Sequence, residues 1–143
     1  MTIPIREMTL EDYAAVVNLW RTTEGIGLNE ADCLPNLAKF LQHNPGMSFV
    51  AYDGKVLVGA VLCGHDGRRG YIHHLAVVRA YRRQGLGRRL VERCLAALKK
   101  AGIDKCHLFA FVENQLAQSF WQASGWSRRV ELVLYSHLTG YQR

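Results

Sequence analysis

The chain has 143 residues, 49% of them hydrophobic, enough to build one globular domain, residues 1–143, around a single core. It lacks both the run of about 18 apolar residues that a membrane span needs and, in its opening "MTIPIREMTLEDY", the apolar stretch of a signal peptide, so the expectation is a soluble cytoplasmic protein with no membrane partner. The net charge of +6 suits an anionic partner, and because Arg79, Arg82, Arg83, Arg88, Arg89 and Arg93 crowd together while Glu7, Glu11, Asp12, Glu24, Glu30 and Asp32 lie early, it suggests a local anion site.

In chain order, "IPIREM" reads as a short first strand. Thr9 and Asp12 resemble a capping box, and Tyr13, Val16, Val17 and Trp20 then recur at helical spacing, predicting a helix that ends near Thr22. After the loop "TEGIGLNE", a second helix is expected over about Ala31 to His43, with Pro35 tolerated in its first turn and Asn44-Pro45-Gly46 stopping it. "SFVAY" and "KVLVGAVLCGH" read as strands joined by an Asp53-Gly54 turn, and "GYIHHLAVV" as the next strand. A helix follows to about Ala101, stopped by Gly102. "KCHLFAFV" is a nearly continuous apolar strand, as expected when both faces are covered. "NQLAQSFWQASG" is a short helix and "VELVLYS" a last strand. The order β-α-α-β-β-β-α-β-α-β makes an α/β fold, a mixed sheet with helices on both faces.

The four cysteines, Cys33, Cys63, Cys94 and Cys106, fit no zinc spacing and sit among apolar neighbours, as buried free thiols would; no metal is expected. The segment "AYRRQGLGRRL" carries more chemistry. Gly85 and Gly87 follow a strand and open a helix, whose first turn offers free N–H groups and a positive dipole end. Glycines let a phosphate approach the backbone, and the flanking arginines add charge-assisted hydrogen bonds. The expected ligand is a phosphate, most simply a pyrophosphate. A dinucleotide fingerprint is excluded because Leu90 stands at its third glycine, and a P-loop because no Gly-Lys-Ser/Thr follows.

"Arg82-Arg83-Gln84-Gly85-Leu86-Gly87" resembles the Q/R-x-x-G-x-G/A motif of the GCN5-related N-acetyltransferases, the GNAT superfamily. A second stretch, Asn114-x-x-Ala117-x-x-Phe120-Trp121-x-x-x-Gly125-Trp126, is similar to that family's segment after its fifth strand, and the element order agrees over nearly the whole chain. The resemblance implies acetyl-CoA as cofactor. Its pyrophosphate would lie on the amides of Arg83, Gln84, Gly85, Leu86, Gly87 and Arg88, beside Arg82. Its pantetheine arm would run along Leu75, Ala76 and Val77, where the fourth and fifth strands splay apart, with Asn114 and Trp121 on the other side. It further implies a primary amine as acceptor, on a small molecule or a peptide or protein, and a possible homodimer.

Acetyl transfer needs a neutral amine, a donor for the negative charge developing on the carbonyl oxygen, and a thiolate that can leave. By resemblance the donor is a main-chain N–H near Val77, Tyr71 and His73 stand where relatives carry base-like residues, and Glu24 lies in the loop that borders the acceptor site in relatives, where it could hold a cationic amine or act as base. Histidine titrates near neutrality and suits proton removal directly or through water. Strict strand alternation puts Tyr71, His73 and Leu75 on one face and Ile72, His74 and Ala76 on the other. The bland reading of either histidine is a hydrogen-bonded strand residue, and of Glu24 a solvated loop carboxylate. Relatives often use a tyrosine as acid where this chain has Trp121, and indole is no usable proton source. That departure leaves a second function open, a weak or inactive acyl-CoA-binding module. A third, nucleic-acid binding through the arginines, is disfavoured because aromatics do not interleave with them.

Overall fold

The computed structural model describes residues 2–142. They fall into two compact units, the first running to Phe111 and the second beginning at Val112.

In the first unit the strands β1 (Ile5–Glu7), β2 (Phe49–Asp53), β3 (Val56–His65), β4 (Gly70–Val77) and β5 (Cys106–Leu108) form one five-stranded sheet in that spatial order. The first four pair antiparallel and β5 pairs parallel to β4. One face is covered by α1 (Tyr13–Arg21) and α2 (Leu34–His43). Its core packs Val16, Val17, Leu19, Trp20 and Leu37 onto Val50, Ala60, Leu62 and Ala76. The other face meets α3 (Leu86–Lys100), which buries Leu86, Leu90, Val91, Cys94 and Leu98 at helical spacing. Glycines on β3 and β4 let α3 approach closely: a Cβ on Gly59 would stand 3.0 Å from Leu90 Cδ1, and one on Gly70 2.5 Å from Leu98 Cδ1.

The expected capping box is formed. The Thr9 N–H donates to Asp12 Oδ2 at 2.9 Å and the Asp12 N–H to the Thr9 carbonyl at 3.0 Å. Asp12 does more than cap, because the Arg6 guanidinium grips it with two bonds of 2.7 and 2.9 Å and the Tyr52 hydroxyl donates to it at 2.8 Å. Burial pushes the Asp12 carboxyl up, but these three donors outweigh it and hold the carboxyl below its usual range. All four cysteines are free, as the sequence reading expects, but only Cys63 and Cys94 are buried, while Cys33 and Cys106 are half-buried.

Several expectations are corrected. The second helix begins at Leu34, three residues late, because Asn29 closes a separate 3-10 turn over Glu30–Asp32 and Pro35 stands in the first turn of α2. The fifth strand spans only Cys106–Leu108, since its ladder on β4 stops at Ile72↔Leu108. Beyond that point Phe109 and Phe111 are exposed, so the run is not covered on both faces as predicted.

The second unit holds α4 (Gln115–Ala123), ended by Gly125 with φ at +91°. The predicted last strand "VELVLYS" forms no strand, and Val130, Leu132, Val133, Leu134 and Tyr135 are exposed. An alternating apolar run becomes a strand only where a ladder satisfies its backbone, and its own unit contains no strand to pair with. No helix among the described residues is long and apolar enough to cross a membrane.

Candidate active site

The segment after β4 turns through a 3-10 element at Arg79–Tyr81 and then takes two left-handed residues, Arg83 with φ at +62° and Gly85 with φ at +81°. Gly85 is the N-cap of α3, and no side chain caps it. The first helical bond runs from the Arg89 N–H to the Gly85 carbonyl at 3.0 Å, so the N–H groups of Leu86, Gly87 and Arg88 precede the helical ladder. No acidic residue stands in this first turn. Open space lies above Gly85, where an added Cβ would meet nothing within 4 Å. The turn therefore presents uncapped amides and a helix dipole to an anion, with exposed Arg83 and Arg88 at its rim.

Arg82 has a different task. Its Nε donates to the Val77 carbonyl at 2.8 Å and its Nη1 donates to Glu24 Oε1 at 2.8 Å. The guanidinium thus ties the end of β4 to the loop after α1. The same hydrogen bond holds the Glu24 carboxyl below its usual range, so Glu24 is a bound carboxylate committed to Arg82 rather than an open base.

Along β4 the register slips. Ala60 pairs with Ala76 but Leu62 pairs with His73, so His74 and Leu75 together oppose the single residue Val61. His74 adopts φ at +53° to make this bulge. The bulge overturns strict alternation. Gly70 faces Leu98 of α3, so Tyr71 and His73 face the α1/α2 side, and His73 meets Phe40 of α2 edge-on at 6.0 Å. After the bulge His74 faces the same side and packs on Trp20 of α1, ring centroids 4.9 Å apart. The two adjacent histidines, expected on opposite faces, share one. Leu75, Ala76 and Val77 follow at the strand end, beyond the last β5 pair, so among the described residues β4 has no ladder partner on that side. This is the expected splay.

Tyr71 stacks on His73 at 6.5 Å and on Phe109 at 6.4 Å, and lies 5.8 Å from the His107 ring. Burial, and then the neighbouring His74, push His73 below the usual histidine value, against an opposing pull from Asp32. His73 is therefore neutral at pH 7 and able to accept a proton. His107 and Phe109 were missed because "KCHLFAFV" reads as uniformly apolar; period-two spacing with Tyr71 as the parallel partner of His107 is the signal that finds them. Asp32 closes its own turn, accepting from the Asn29 N–H at 3.2 Å, and its other oxygen lies 3.0 Å from His74 Nε2.

In the second unit Asn114 is the N-cap of α4, its Oδ1 accepting from the Ala117 N–H at 3.1 Å. Trp121 packs edge-on against Phe120 at 5.0 Å and Trp126 at 5.1 Å. The indole therefore has a packing role inside its own unit.

Residues 13–126 match the model of the acetyltransferase (GNAT) family. N-alpha-acetyltransferase 30 of Schizosaccharomyces pombe is 37% identical over 101 residues, covering 67% of each chain. The human protein of that name is 34% identical over 101 residues, 67% of this chain but only 28% of its own length. Among solved structures, the NatC complex bound to Gag peptide and CoA superimposes with a TM-score of 0.73 at 25% identity, covering 90% of this chain and 87% of that one. With an uncapped helix start beside a splayed strand edge, and a family match over most of its length, the chain belongs to the GNAT family of acetyltransferases.

Proposed function

We propose that the chain is an acetyl-CoA-dependent N-acetyltransferase whose acceptor is the α-amine at the N-terminus of a peptide or protein. The observation that carries the reading is the meeting, at the end of β4, of an unpaired strand edge, an uncapped anion-binding turn and a half-buried neutral histidine. The relatives named N-alpha-acetyltransferase, and a neighbour solved with a peptide and CoA, support the choice of acceptor.

These residues fit the cofactor. The amides of Arg83 through Arg88 suit its pyrophosphate, with Gln84 exposed at the same turn. The free edge at Leu75, Ala76 and Val77 suits an amide-bearing arm, and a main-chain N–H near Val77 would polarise the reacting carbonyl. When bound, acetyl-CoA supplies an acetyl thioester. His73 takes the proton from the acceptor's ammonium, directly or through a water, with Tyr71 stacked beside it and His107 against the Tyr71 ring.

Magnitudes favour an α-amine over a lysine. An α-amine titrates at about 7.7–8.0 and lysine at about 10.4. Moving a proton to a histidine of ordinary value is uphill by roughly 1.8 kcal/mol from the first and roughly 5.3 kcal/mol from the second, and the lowered His73 adds equally to both. An alkyl thiol titrates near about 8.5, so its thiolate leaves with little acid help, and Trp121 need not supply any.

Calorimetric titration of acetyl-CoA into wild type and Gly85→Glu tests the cofactor site, since the variant puts a carboxylate where the anion would lie. Micromolar binding lost in Gly85→Glu, followed by thiol release with N-terminally free peptides and not with lysine side chains, is the expected result. No binding to the wild type sinks the reading. Tight binding with no thiol release on any amine would favour the binding-module alternative, which Trp121 in the aromatic cluster of α4 keeps in play.

A further inference from the structure

We propose that Asp32 and His74 form a positioning pair that locks the β4 bulge, and so fixes the strand edge from Leu75 to Val77 relative to His73. It rests on the proposed transferase reading only for its kinetic consequences.

Among the described residues, only His74 and Arg83 are non-glycine residues with positive φ. A left-handed histidine inside a strand persists only where its surroundings over-determine it. Here they do so from two sides. The His74 ring sits 3.0 Å by Nε2 from Asp32 Oδ1, and against Trp20, which is fully buried. Asp32 is itself almost fully buried and cannot swing away. Its other oxygen accepts from the Asn29 N–H at 3.2 Å, and its main-chain carbonyl accepts from the Tyr13 hydroxyl at 2.9 Å. The loop between α1 and α2 therefore reaches over the sheet and pins the bulge at its one strained residue.

The bulge is also where the sheet opens. The β4–β5 ladder ends at Ile72, and the slip occurs between His73 and Ala76. Without it, the edge from Leu75 onward would present the opposite set of groups, because a one-residue slip exchanges the faces of a strand. The pair acts on that edge and not on the pyrophosphate turn, which lies beyond Val78. It also touches the charge balance of His73. The titratable or charged groups facing His73 are Tyr71 and His74 from β4 and Asp32 from the loop, while α2 contributes Phe40. His74 pushes the His73 value down and Asp32 pulls it up.

The test uses the full chain with Asp32→Asn, His74→Asn and the double variant. Asparagine tolerates left-handed backbone better than most residues, so His74→Asn removes the ring without forbidding the bulge. His74→Gly, which relieves the strain outright, is the companion should His74→Asn fold poorly. Each single variant is expected to lower kcat at least about tenfold and to raise KM for acetyl-CoA several-fold, because the displaced edge would both polarise the carbonyl and hold the cofactor's arm. The double variant should be no worse than either single, because the two residues act as a unit. By NMR, the His73 titration should move down in Asp32→Asn and up in His74→Asn, and the amides of Leu75 to Val77 should shift in both. Unchanged kcat with only a lowered melting temperature would make the pair a fold contact and overturn the proposal, as would additive single effects. If the wild type acetylates nothing, the functional reading fails by itself. The NMR arm then still decides: shifted amides with opposed His73 movements uphold the pair, and an unmoved bulge overturns it.

Discussion

Arg82 and Glu24, 58 positions apart in sequence, meet at 2.8 Å, and the same guanidinium donates to the carbonyl of Val77. One side chain of the glycine-turn motif thus serves the loop after α1 and the end of β4. It also stands beside the proposed anion site with its charge already countered. Replacing Glu24 with Gln should strengthen acetyl-CoA binding by a small factor, about two to five at low salt, fading as ionic strength rises, because an exposed pair is screened. Arg82→Ala should weaken binding and loosen the loop as well. Calorimetry at two salt concentrations reads both signs; weaker binding in Glu24→Gln would mean that Glu24 orders the turn and does not offset its charge.

Two glycines separate stability from binding. A Cβ on Gly70 would stand 2.5 Å from Leu98 Cδ1 and 3.2 Å from its Cγ, in a buried contact that cannot swing clear. Gly70→Ala should cost about 1–3 kcal/mol of stability by overpacking, with acetyl-CoA affinity unchanged in the folded protein. Gly85→Ala meets open space but must hold φ at +81°, so a cost near about 1 kcal/mol is expected, together with weaker cofactor binding. Thermal melts beside calorimetric titrations of the two variants check the contrast.

In the proposed mechanism His73 sets the acid limb of activity. Its value lies below the ordinary 6.5, so the neutral, proton-accepting form persists to lower pH than an exposed histidine would allow. The acid limb of kcat/KM should therefore fall below pH 6.5 and disappear in His73→Phe. The sign for stability follows from proton counting. Below pH 6.5 the unfolded chain binds more protons at this site than the folded one, so stability is complete above that pH and declines as pH falls. His73→Phe should flatten that decline, measured as melting temperature against pH.

Asp12 gives a second acid response at lower pH. Arg6, the Thr9 N–H and Tyr52 all donate to its carboxylate, and together they outweigh its burial and lower its value below the ordinary 3.8. A depressed carboxyl contributes stability above its unfolded value and loses it as pH falls through the folded one, so this contribution fades below about pH 3.8. Asp12→Ala strands Tyr52 and Arg6 and uncaps the turn before α1; a loss of about 2–3 kcal/mol at neutral pH is expected by chemical denaturation. An equal loss at pH 2 would contradict the assignment.

Much of the chain was legible from its residues. Apolar spacing on α1 and α3 needs only local geometry, which is why those helices fall within a residue or two of their predicted bounds. The glycine turn was legible because a left-handed residue and a helix start are local demands that Gly85 meets by itself. What the sequence could not set was anything that depends on a partner strand or a distant side chain. "KCHLFAFV" and "VELVLYS" have strand chemistry, yet a strand exists only where another backbone answers it, so one shortened to Cys106–Leu108 and the other formed none. Alternation put His73 and His74 on opposite faces, because a bulge arises from the register between two strands and appears in neither alone. Glu24 read as a solvated loop carboxylate and Asp32 as one early acid among several, until folding brought Arg82 and His74 to them across 58 and 42 positions. The sequence by itself determined the local elements, the helices and the glycine turn that opens α3. Tertiary structure alone decided which face each histidine shows and which carboxylates are bound, because register and long-range ion pairs come into being only when separate segments meet.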